Sequence, residues 1–344
     1  MSDENTKITI LGTSGAGKTC YLLGMYHIMN MGMKSFYIKA DDDTDVELKT
    51  KYRKMKDSSL GTNRFPAGTD TNSEYSFMLQ YGFEDIVPFQ WIDYAGGALV
   101  SKTAGDEEEY KKIKDTINES SCLLICVDGE LLKGNDTEEK IERVKEACTS
   151  LMHNFFADYF TENQNLPPTA IVLTKSDVYK KDTTKEEIDK IMREAFDDFF
   201  TSDSNIERII AIIPVSLGAN ISENNYSGKL KPVNLHLPIF MGIWFTLQKL
   251  IKKYADALAA QEDFINCCMK TKDEEESKRF FFKDKKRIQK LSDLIALNKN
   301  GSQQTKKIFE IMTKHSELLT DELKEIELLY RNNKRTSFSD LVEG

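Results

Sequence analysis

Hydrophobic residues in the first 255 positions form short continuous runs that alternate with segments of helical periodicity. Residues 8–11, 122–127 and 170–173 are mostly or wholly apolar, which is typical of strands buried on both faces of a sheet. Between such runs, apolar residues recur at helical spacing, as they do across 141–155. Strands alternating with helices predict a three-layer α/β fold with a mostly parallel sheet and right-handed crossovers.

Two further segments predict one antiparallel strand in this sheet. Residues 74–80 and 89–93 have strand character, and Gly82 and Pro88 lie between them, which favours a hairpin. The polar region 41–72 that precedes the hairpin contains several helix and strand breakers, so at least part of it is expected to be loop. A last strand is predicted at 208–215.

The pattern changes after the loop at 216–237. An apolar stripe from Ile239 to Tyr254 predicts a helix that closes the sheet. Two further stripes, at 288–294 and 308–326, are separated by a predicted turn at 298–302. The sequence thus predicts an α/β domain over 1–258 and an α-helical extension over 259–344 that forms a helical hairpin.

The first predicted strand runs directly into a phosphate-binding motif. Residues 12–19 read Gly-Thr-Ser-Gly-Ala-Gly-Lys-Thr, which is the P-loop pattern in its expected strand-to-helix context. Glycines let backbone N–H groups approach the phosphates, the lysine neutralises phosphate charge, and the threonine hydroxyl suits Mg²⁺. The predicted phosphate-binding residues are Ser14, Gly15, Ala16, Gly17, Lys18, Thr19 and Cys20.

A second motif selects the base. Thr174, Lys175 and Asp177 follow a buried strand, and Asp177 can accept two hydrogen bonds from guanine N1 and N2, which adenine cannot donate. The Lys175 stem can lie against the base. A backbone N–H at Ser216 or Leu217, after the last strand, is placed to contact guanine O6. The predicted ligands are therefore GTP and GDP. An ATPase is the alternative function, and it requires that this motif is a chance match.

The phosphate loop, the 174–177 motif and the Ser216 element occur in the same order along the chain as in the translation-factor and Ras-like class of P-loop GTPases, and they resemble the motifs of that class. Thr174, Lys175, Asp177 and Ser216 match its N/T-K-x-D and S-A-type elements, and the resemblance covers roughly residues 6–255. Residues 8–23, 91–97 and the closing helix are most similar to the bacterial double-GTPase (DO-GTPase) group. That group is associated with predicted prokaryotic conflict or defence systems.

The resemblance implies a magnesium site and a γ-phosphate sensor. Residues 93–96 match the D-x-x-G element, which implies that Asp93 orients Mg²⁺ through water and that the Gly96 N–H bonds the γ-phosphate. Thr19 is the other expected metal ligand near the phosphates. A threonine before the hairpin would complete the shell, and the candidates are Thr69, which we prefer, Thr71 and Thr62.

One position departs from the family pattern. Where Ras-like enzymes carry the glutamine that orients water, this chain has Gly97, so intrinsic GTP hydrolysis is expected to be slow. Arg64 could act as an arginine finger in cis, or it could be a solvated loop residue. The predicted catalytic residues are Lys18, Gly96 and Arg64. The resulting hypothesis is a Mg²⁺-dependent GTP switch, and its rival is a scaffold protein that holds a structural guanine nucleotide and assembles through its C-terminal helices.

Composition and charge limit the expected location of the protein and the kinds of partner it can bind. The net charge is −9, and the first 234 residues carry 27 basic and 39 acidic side chains, which argues against a nucleic-acid-binding face there. Six cysteines lack zinc-ligand spacing, and no apolar run reaches the length of a membrane span. We therefore expect a cytoplasmic protein. On the switch hypothesis, its switch loops and C-terminal helices contact a protein partner.

Overall fold

The computed structural model describes residues 6–67, 72–95, 107–163, 166–201, 207–218, 221, 228–278 and 284–343. The chain divides into two compact units. The first comprises Met1–Phe245 together with Leu319–Gly344, and the second comprises Thr246–Leu318. All the predicted nucleotide-site residues belong to the first unit.

Within the described residues, nine strands form the sheet of the first unit. They are β1 Thr6–Gly12, β2 Phe36–Lys39, β3 Ser73–Tyr81, β4 Glu84–Asp93, β5 Ser120–Asp128, β6 Thr169–Thr174, β7 Ile209–Pro214, β8 Leu328–Arg331 and β9 Lys334–Thr336. Their order across the sheet is β2-β3-β4-β1-β5-β6-β7-β8-β9. The central strands β4, β1, β5, β6 and β7 pair in parallel, as predicted.

Two strands run against the direction of the others. The predicted hairpin is formed by β3 and β4, whose register places Ser73 opposite Asp93. At the other side of the sheet, β8 pairs antiparallel with β7, with Ile209 opposite Arg331, and β9 pairs antiparallel with β8. The sequence analysis predicted the first antiparallel strand and missed the second.

Helices cover both faces of this sheet. Those described are α1 Lys18–Met31, α2 Asp42–Lys56, α3 Glu107–Glu119, α4 Thr137–Val144, α5 Ser150–Asn163, α6 Lys185–Ala195, α7 Asp197–Phe200, α8 His236–Ser277, α9 Lys285–Leu323 and α10 Phe338–Glu343. On one face, Leu123 and Ile125 of β5 share a core with α3, α4, α5 and α6. On the other face, Tyr21 of α1 packs on Trp91, and Gly242 of α8 lies against Ile8. The predicted three-layer α/β fold is confirmed.

The second unit consists of the later part of α8 and most of α9. The predicted turn at 298–302 is wrong, since α9 continues through Gly301; one glycine inside a helix costs only about 1 kcal/mol relative to alanine. The chain then returns to the first unit. There Trp244 donates to Thr320 Oγ1 at 2.9 Å and packs edge-on against Phe338. The predicted domain boundary at residue 258 stays a prediction.

Across the described ranges, none of the helices combines the length and the apolar character that a membrane crossing would require.

Candidate functional site

A cavity of about 250 Å³ lies at the carboxyl ends of β1, β6 and β7. Parallel α/β sheets bind ligands at this edge, where loops from several strands meet. The cavity is lined by nearly every base- and phosphate-binding residue predicted from sequence, namely Ser14, Gly15, Gly17, Lys18, Thr19, Cys20, Thr174, Lys175, Asp177, Ser216 and Leu217. The structure therefore brings the two sequence motifs, about 160 residues apart in the chain, to one site.

The phosphate-binding loop is built around glycine geometry. Gly15 and Gly17 have φ angles of 80° and 87°, in the left-handed region that disfavours other residues. The Lys18 ammonium donates to the carbonyl oxygens of Gly12 at 2.7 Å and Thr13 at 3.3 Å. Helix α1 begins at Lys18, so its first N–H groups and its positive dipole end face the loop. This arrangement suits an anion.

Thr174 joins the two motifs. Its hydroxyl lies 2.8 Å from the Ala16 carbonyl oxygen and 3.1 Å from that of Val127, and the side chain is buried. Ala16 is thus held behind the loop and is not itself part of the cavity lining. Because one hydroxyl links β5, β6 and the phosphate loop, the base-recognition strand is fixed relative to the phosphates.

Lys175 is anchored by two acids that the sequence analysis missed. Its ammonium donates to Asp128 Oδ2 at 2.7 Å and to Glu130 Oε1 at 3.3 Å, and Glu130 also lines the cavity. Burial opposes the charge, but the hydrogen bond to Asp128 and the nearby Glu130 raise the pKa of Lys175 above its ordinary value. The sequence signal for Asp128 was its position directly after the apolar run 122–127. In the structure, it lies beside Thr174 in the sheet.

Asp93 lies at the end of β4 with only 3% of its surface exposed. Within the described part of the chain, its Oδ1 has no hydrogen-bond partner. Burial raises the pKa of this carboxyl to about 6, against the opposing effect of the Lys18 charge. A buried carboxylate oxygen that lacks a partner, close to a cavity lined by Thr19, fits the hard-oxygen donor set of Mg²⁺.

Arg64 is not the solvated loop residue that one interpretation expected. Its side chain is 1% exposed, and its Nη2 donates to the Gly228 carbonyl oxygen at 3.1 Å. The guanidinium carbon also lies 5.1 Å from the centre of the Phe65 ring. The following residues, Phe65, Pro66 and Ala67, line the cavity, whereas Arg64 does not.

The Ser216 N–H, one of the predicted candidates for contact with guanine O6, already has a partner in the structure. That N–H donates to Val233 O at 3.1 Å, and the Gly218 N–H donates to Ser216 Oγ at 2.9 Å. Of the two predicted positions, this leaves Leu217, whose side chain also reaches α1 beside Gly24.

Several predicted residues lie outside the described part of the chain: Gly96, Gly97, Thr69 and Thr71. Asn72, which follows, accepts a hydrogen bond from the Ala95 N–H at 2.9 Å, so the chain on both sides of these residues meets at the end of β4. At Cys20, burial raises the pKa of the thiol to about 11, so the side chain serves as a neutral part of the wall.

Comparison with known proteins gives one family match. Residues 6–211 match the sequence model of the Double-GTPase 2 family. Among solved structures, the S. cerevisiae Ski7 GTPase-like domain bound to GTP is 16% identical, with 64% of this chain and 46% of that chain covered and a TM-score of 0.34. Bacterial selenocysteine-specific elongation factor EF-Sec is 14% identical, with 61% and 25% covered and a TM-score of 0.28.

A structure of an oligomerised bacterial dynamin pair is 13% identical, with 93% of this chain and 62% of that chain covered and a TM-score of 0.30. The chain thus spans less than two thirds of each of these three proteins. No curated protein matches the sequence.

Proposed function

This chain belongs to the Double-GTPase 2 family, and we propose on that premise that it is a Mg²⁺-dependent GTP-binding switch with slow intrinsic hydrolysis. The observation that carries the proposal is the meeting of the phosphate loop with Thr174, Lys175 and Asp177 in one cavity. The resemblance to double GTPases extends the proposal to a prokaryotic conflict or defence system, in which a protein partner reads the switch loops and C-terminal helices.

The base end of the cavity supports guanine recognition. The Asp177 carboxylate would accept hydrogen bonds from guanine N1 and N2, and the Lys175 stem would lie along the base. Asp128 and Glu130 hold the Lys175 ammonium in place, which fixes the stem before ligand arrives. The Leu217 N–H is the proposed donor to guanine O6, because the Ser216 N–H is already bonded to Val233.

The phosphate end supports metal-assisted binding. Lys18 and the N–H groups of the loop would hold the phosphates, and Thr19, Asp93 and Thr69 would hold the metal. Mg²⁺ supplies charge neutralisation on the β- and γ-phosphates when it is bound. The Gly96 N–H would contact the γ-phosphate, which makes the chain after β4 sensitive to whether GTP or GDP is present.

Slow hydrolysis follows from Gly97, which has no side chain to orient the attacking water. A partner that supplies the missing group would accelerate the reaction. The first experiment is titration of the purified protein with GTP, GDP and ATP in the presence of Mg²⁺, followed by phosphate release over hours. Tight guanine binding with slow release is expected. Equal affinity for ATP, rapid turnover or failure to bind any nucleotide would contradict the proposal.

Asp177→Ala tests the base site directly. Loss of two hydrogen bonds to a charged acceptor should weaken GTP and GDP binding by about 10²- to 10⁴-fold and remove the preference over ATP. Asp182→Ala, which removes an exposed carboxylate from the same loop, is the matched control and should bind like the unmodified protein. Unchanged GTP affinity in the Asp177 variant would mean that the base binds elsewhere.

A further inference from the structure

One wall of the nucleotide cavity is formed by Phe65, Pro66 and Ala67, which we call the 65–67 wall. A short 3₁₀-helical segment, Ser58–Arg64, leads into it. Its start is fixed by Asp57, whose carboxylate accepts from the Ser59 N–H at 3.0 Å and from the Ser59 hydroxyl at 2.6 Å. The Asp57 side chain therefore fixes the start of the segment that leads into the wall.

Arg64 makes a second attachment, directly beside the wall. Its guanidinium donates to Gly228 O at 3.1 Å and is almost completely buried, with 1% of the residue exposed. A hydrogen bond from a charged donor is stronger than a neutral one, and burial limits competition from water. The same guanidinium stands over the Phe65 ring at 5.1 Å, so it also restrains the first residue of the wall.

The segment that accepts this hydrogen bond is joined to the base-binding loop. The Lys231 N–H donates to Leu217 O at 2.7 Å, and Ser216 and Val233 exchange two backbone hydrogen bonds of 3.1 and 2.8 Å. These hydrogen bonds pair Lys231 and Val233 with residues 216–217. Through Gly228, the Arg64 side chain connects the 65–67 wall to the segment that pairs with the base-binding loop.

We infer that Arg64 is a positioning residue that latches the 65–67 wall to the base-binding loop and so limits the rate at which nucleotide leaves the cavity. This inference rests on the proposed function, because it needs a guanine nucleotide in this cavity. While the hydrogen bond between Arg64 and Gly228 O is formed, the 65–67 wall is attached to the segment that carries Gly228. A partner that draws the Arg64 guanidinium away from Gly228 would release the wall and promote exchange.

The latch and the arginine finger act on different steps. A finger stabilises charge on the phosphates during hydrolysis, so its removal slows the chemical step by about 10³- to 10⁵-fold. A latch restrains the closed cavity, so its removal speeds dissociation and leaves the hydrolysis of bound GTP unchanged. Measuring both steps in one variant separates the two roles.

The experiment compares Arg64→Ala, Arg64→Lys and the unmodified full chain, with Arg53→Ala as the control that removes an exposed arginine from α2. Dissociation of a fluorescent GDP derivative is followed by stopped flow, and single-turnover hydrolysis of prebound GTP is followed by phosphate release. We expect Arg64→Ala to release GDP about tenfold to a hundredfold faster, because the charge-assisted hydrogen bond to Gly228 is lost. Arg64→Lys should restore part of the slow release, and Arg53→Ala should match the unmodified chain.

Unchanged GDP release in a folded Arg64→Ala variant, or slower hydrolysis with unchanged release, would overturn the latch. A purely structural role would lower thermal stability without the rescue by lysine and without the separation of release from hydrolysis. If Arg64→Ala does not fold, Arg64→Lys decides, because its release rate must exceed that of the unmodified chain. Failure of the unmodified chain to bind the GDP derivative would overturn the proposed function, and the latch with it.

Discussion

Asp93→Asn should make the nucleotide-free protein more stable at neutral pH. The Asp93 carboxyl is 3% exposed, and its Oδ1 has no hydrogen-bond partner among the described residues. Its buried position therefore disfavours the ionised form that a metal site requires. Asparagine has nearly the same shape and carries no charge, so the substitution removes the cost of burying a carboxylate while preserving packing.

The magnitude follows from the pKa of Asp93, which burial raises from 3.8 to about 6 even though Lys18 opposes the shift. The pKa of Asp93 is higher in the folded than in the unfolded chain, so protonation of this group favours the folded state. That stabilisation is complete below pH 3.8, where the carboxyl is protonated in both states, and it is lost as the pH rises through 6. A difference of about two pKa units corresponds to about 3 kcal/mol at pH 7 and above. By the same relation, about half of that cost is present at pH 5.

The assay is urea unfolding of the unmodified and Asp93→Asn proteins between pH 5 and 8, with chelator present and nucleotide removed. The variant should gain up to about 3 kcal/mol at pH 7.5, and its advantage should shrink on acidification. Asp115→Asn, which alters an exposed carboxylate on α3, is the control and should show no such trend. Added Mg²⁺ and GDP should stabilise the unmodified protein more than the variant.

A variant that is less stable than the unmodified protein at pH 7.5 would refute this reasoning. So would a gain that stays constant from pH 8 to pH 5, because the cost would then not arise from ionisation. The expected result would mean that the folded chain gives up stability at Asp93 in order to keep a carboxylate ready for a cation, as functional sites commonly do.

Two further predictions concern the contacts that join the motifs. Thr174→Val should lower the free energy of unfolding by about 1–3 kcal/mol, because the buried Ala16 carbonyl loses its hydroxyl donor; urea unfolding measures this, and Thr161→Val, at an exposed hydroxyl, should cost much less. Asp128→Asn should weaken GTP and GDP binding equally, by about three- to tenfold, because it removes one partly exposed charge from the Lys175 anchor and leaves the γ-phosphate side untouched. Calorimetric titration measures this, and unequal losses for the two nucleotides would contradict it.

The parts of the molecule that could be predicted from sequence are those with local signals. The phosphate loop has a fixed residue order between a strand and a helix, and the Thr174 to Asp177 motif follows a strand that is apolar throughout. The resemblance to double GTPases, which rested on residues 8–23, 91–97 and the closing helix, is confirmed by the family match over residues 6–211.

Helix α2 shows how a local signal can be misread. The acidic residues at 41–43 begin the polar region 41–72, at least part of which the sequence predicts to be loop. In the structure, Asp41 caps the helix by accepting from the Thr44 N–H at 3.0 Å, and the next acidic residues occupy the first turn, where the helix dipole favours negative charge. The helix buries only Leu48, Tyr52 and Met55, so its apolar stripe was too sparse to show in the sequence.

The remaining features depend on contacts between distant parts of the chain. Strand β8 is four residues long and pairs with β7 more than a hundred residues earlier, so neither its length nor its neighbours predicted it. The anchor on Lys175 and the burial of Arg64 likewise arise from residues brought together only by the fold. The sequence identified the residue types at the site, but the side chains and backbone groups that contact them could be identified only from the structure.

The late return of the chain to the sheet has a consequence for biosynthesis. Because a ribosome makes the chain from its N-terminus, the strands that form the nucleotide cavity leave the tunnel well before Leu328–Arg331. During that interval, β7 presents the hydrogen-bonding groups that β8 later occupies, and such an open strand edge can pair with other chains. The growing polypeptide therefore carries an unpaired β7 edge while the helices of the second unit are being translated.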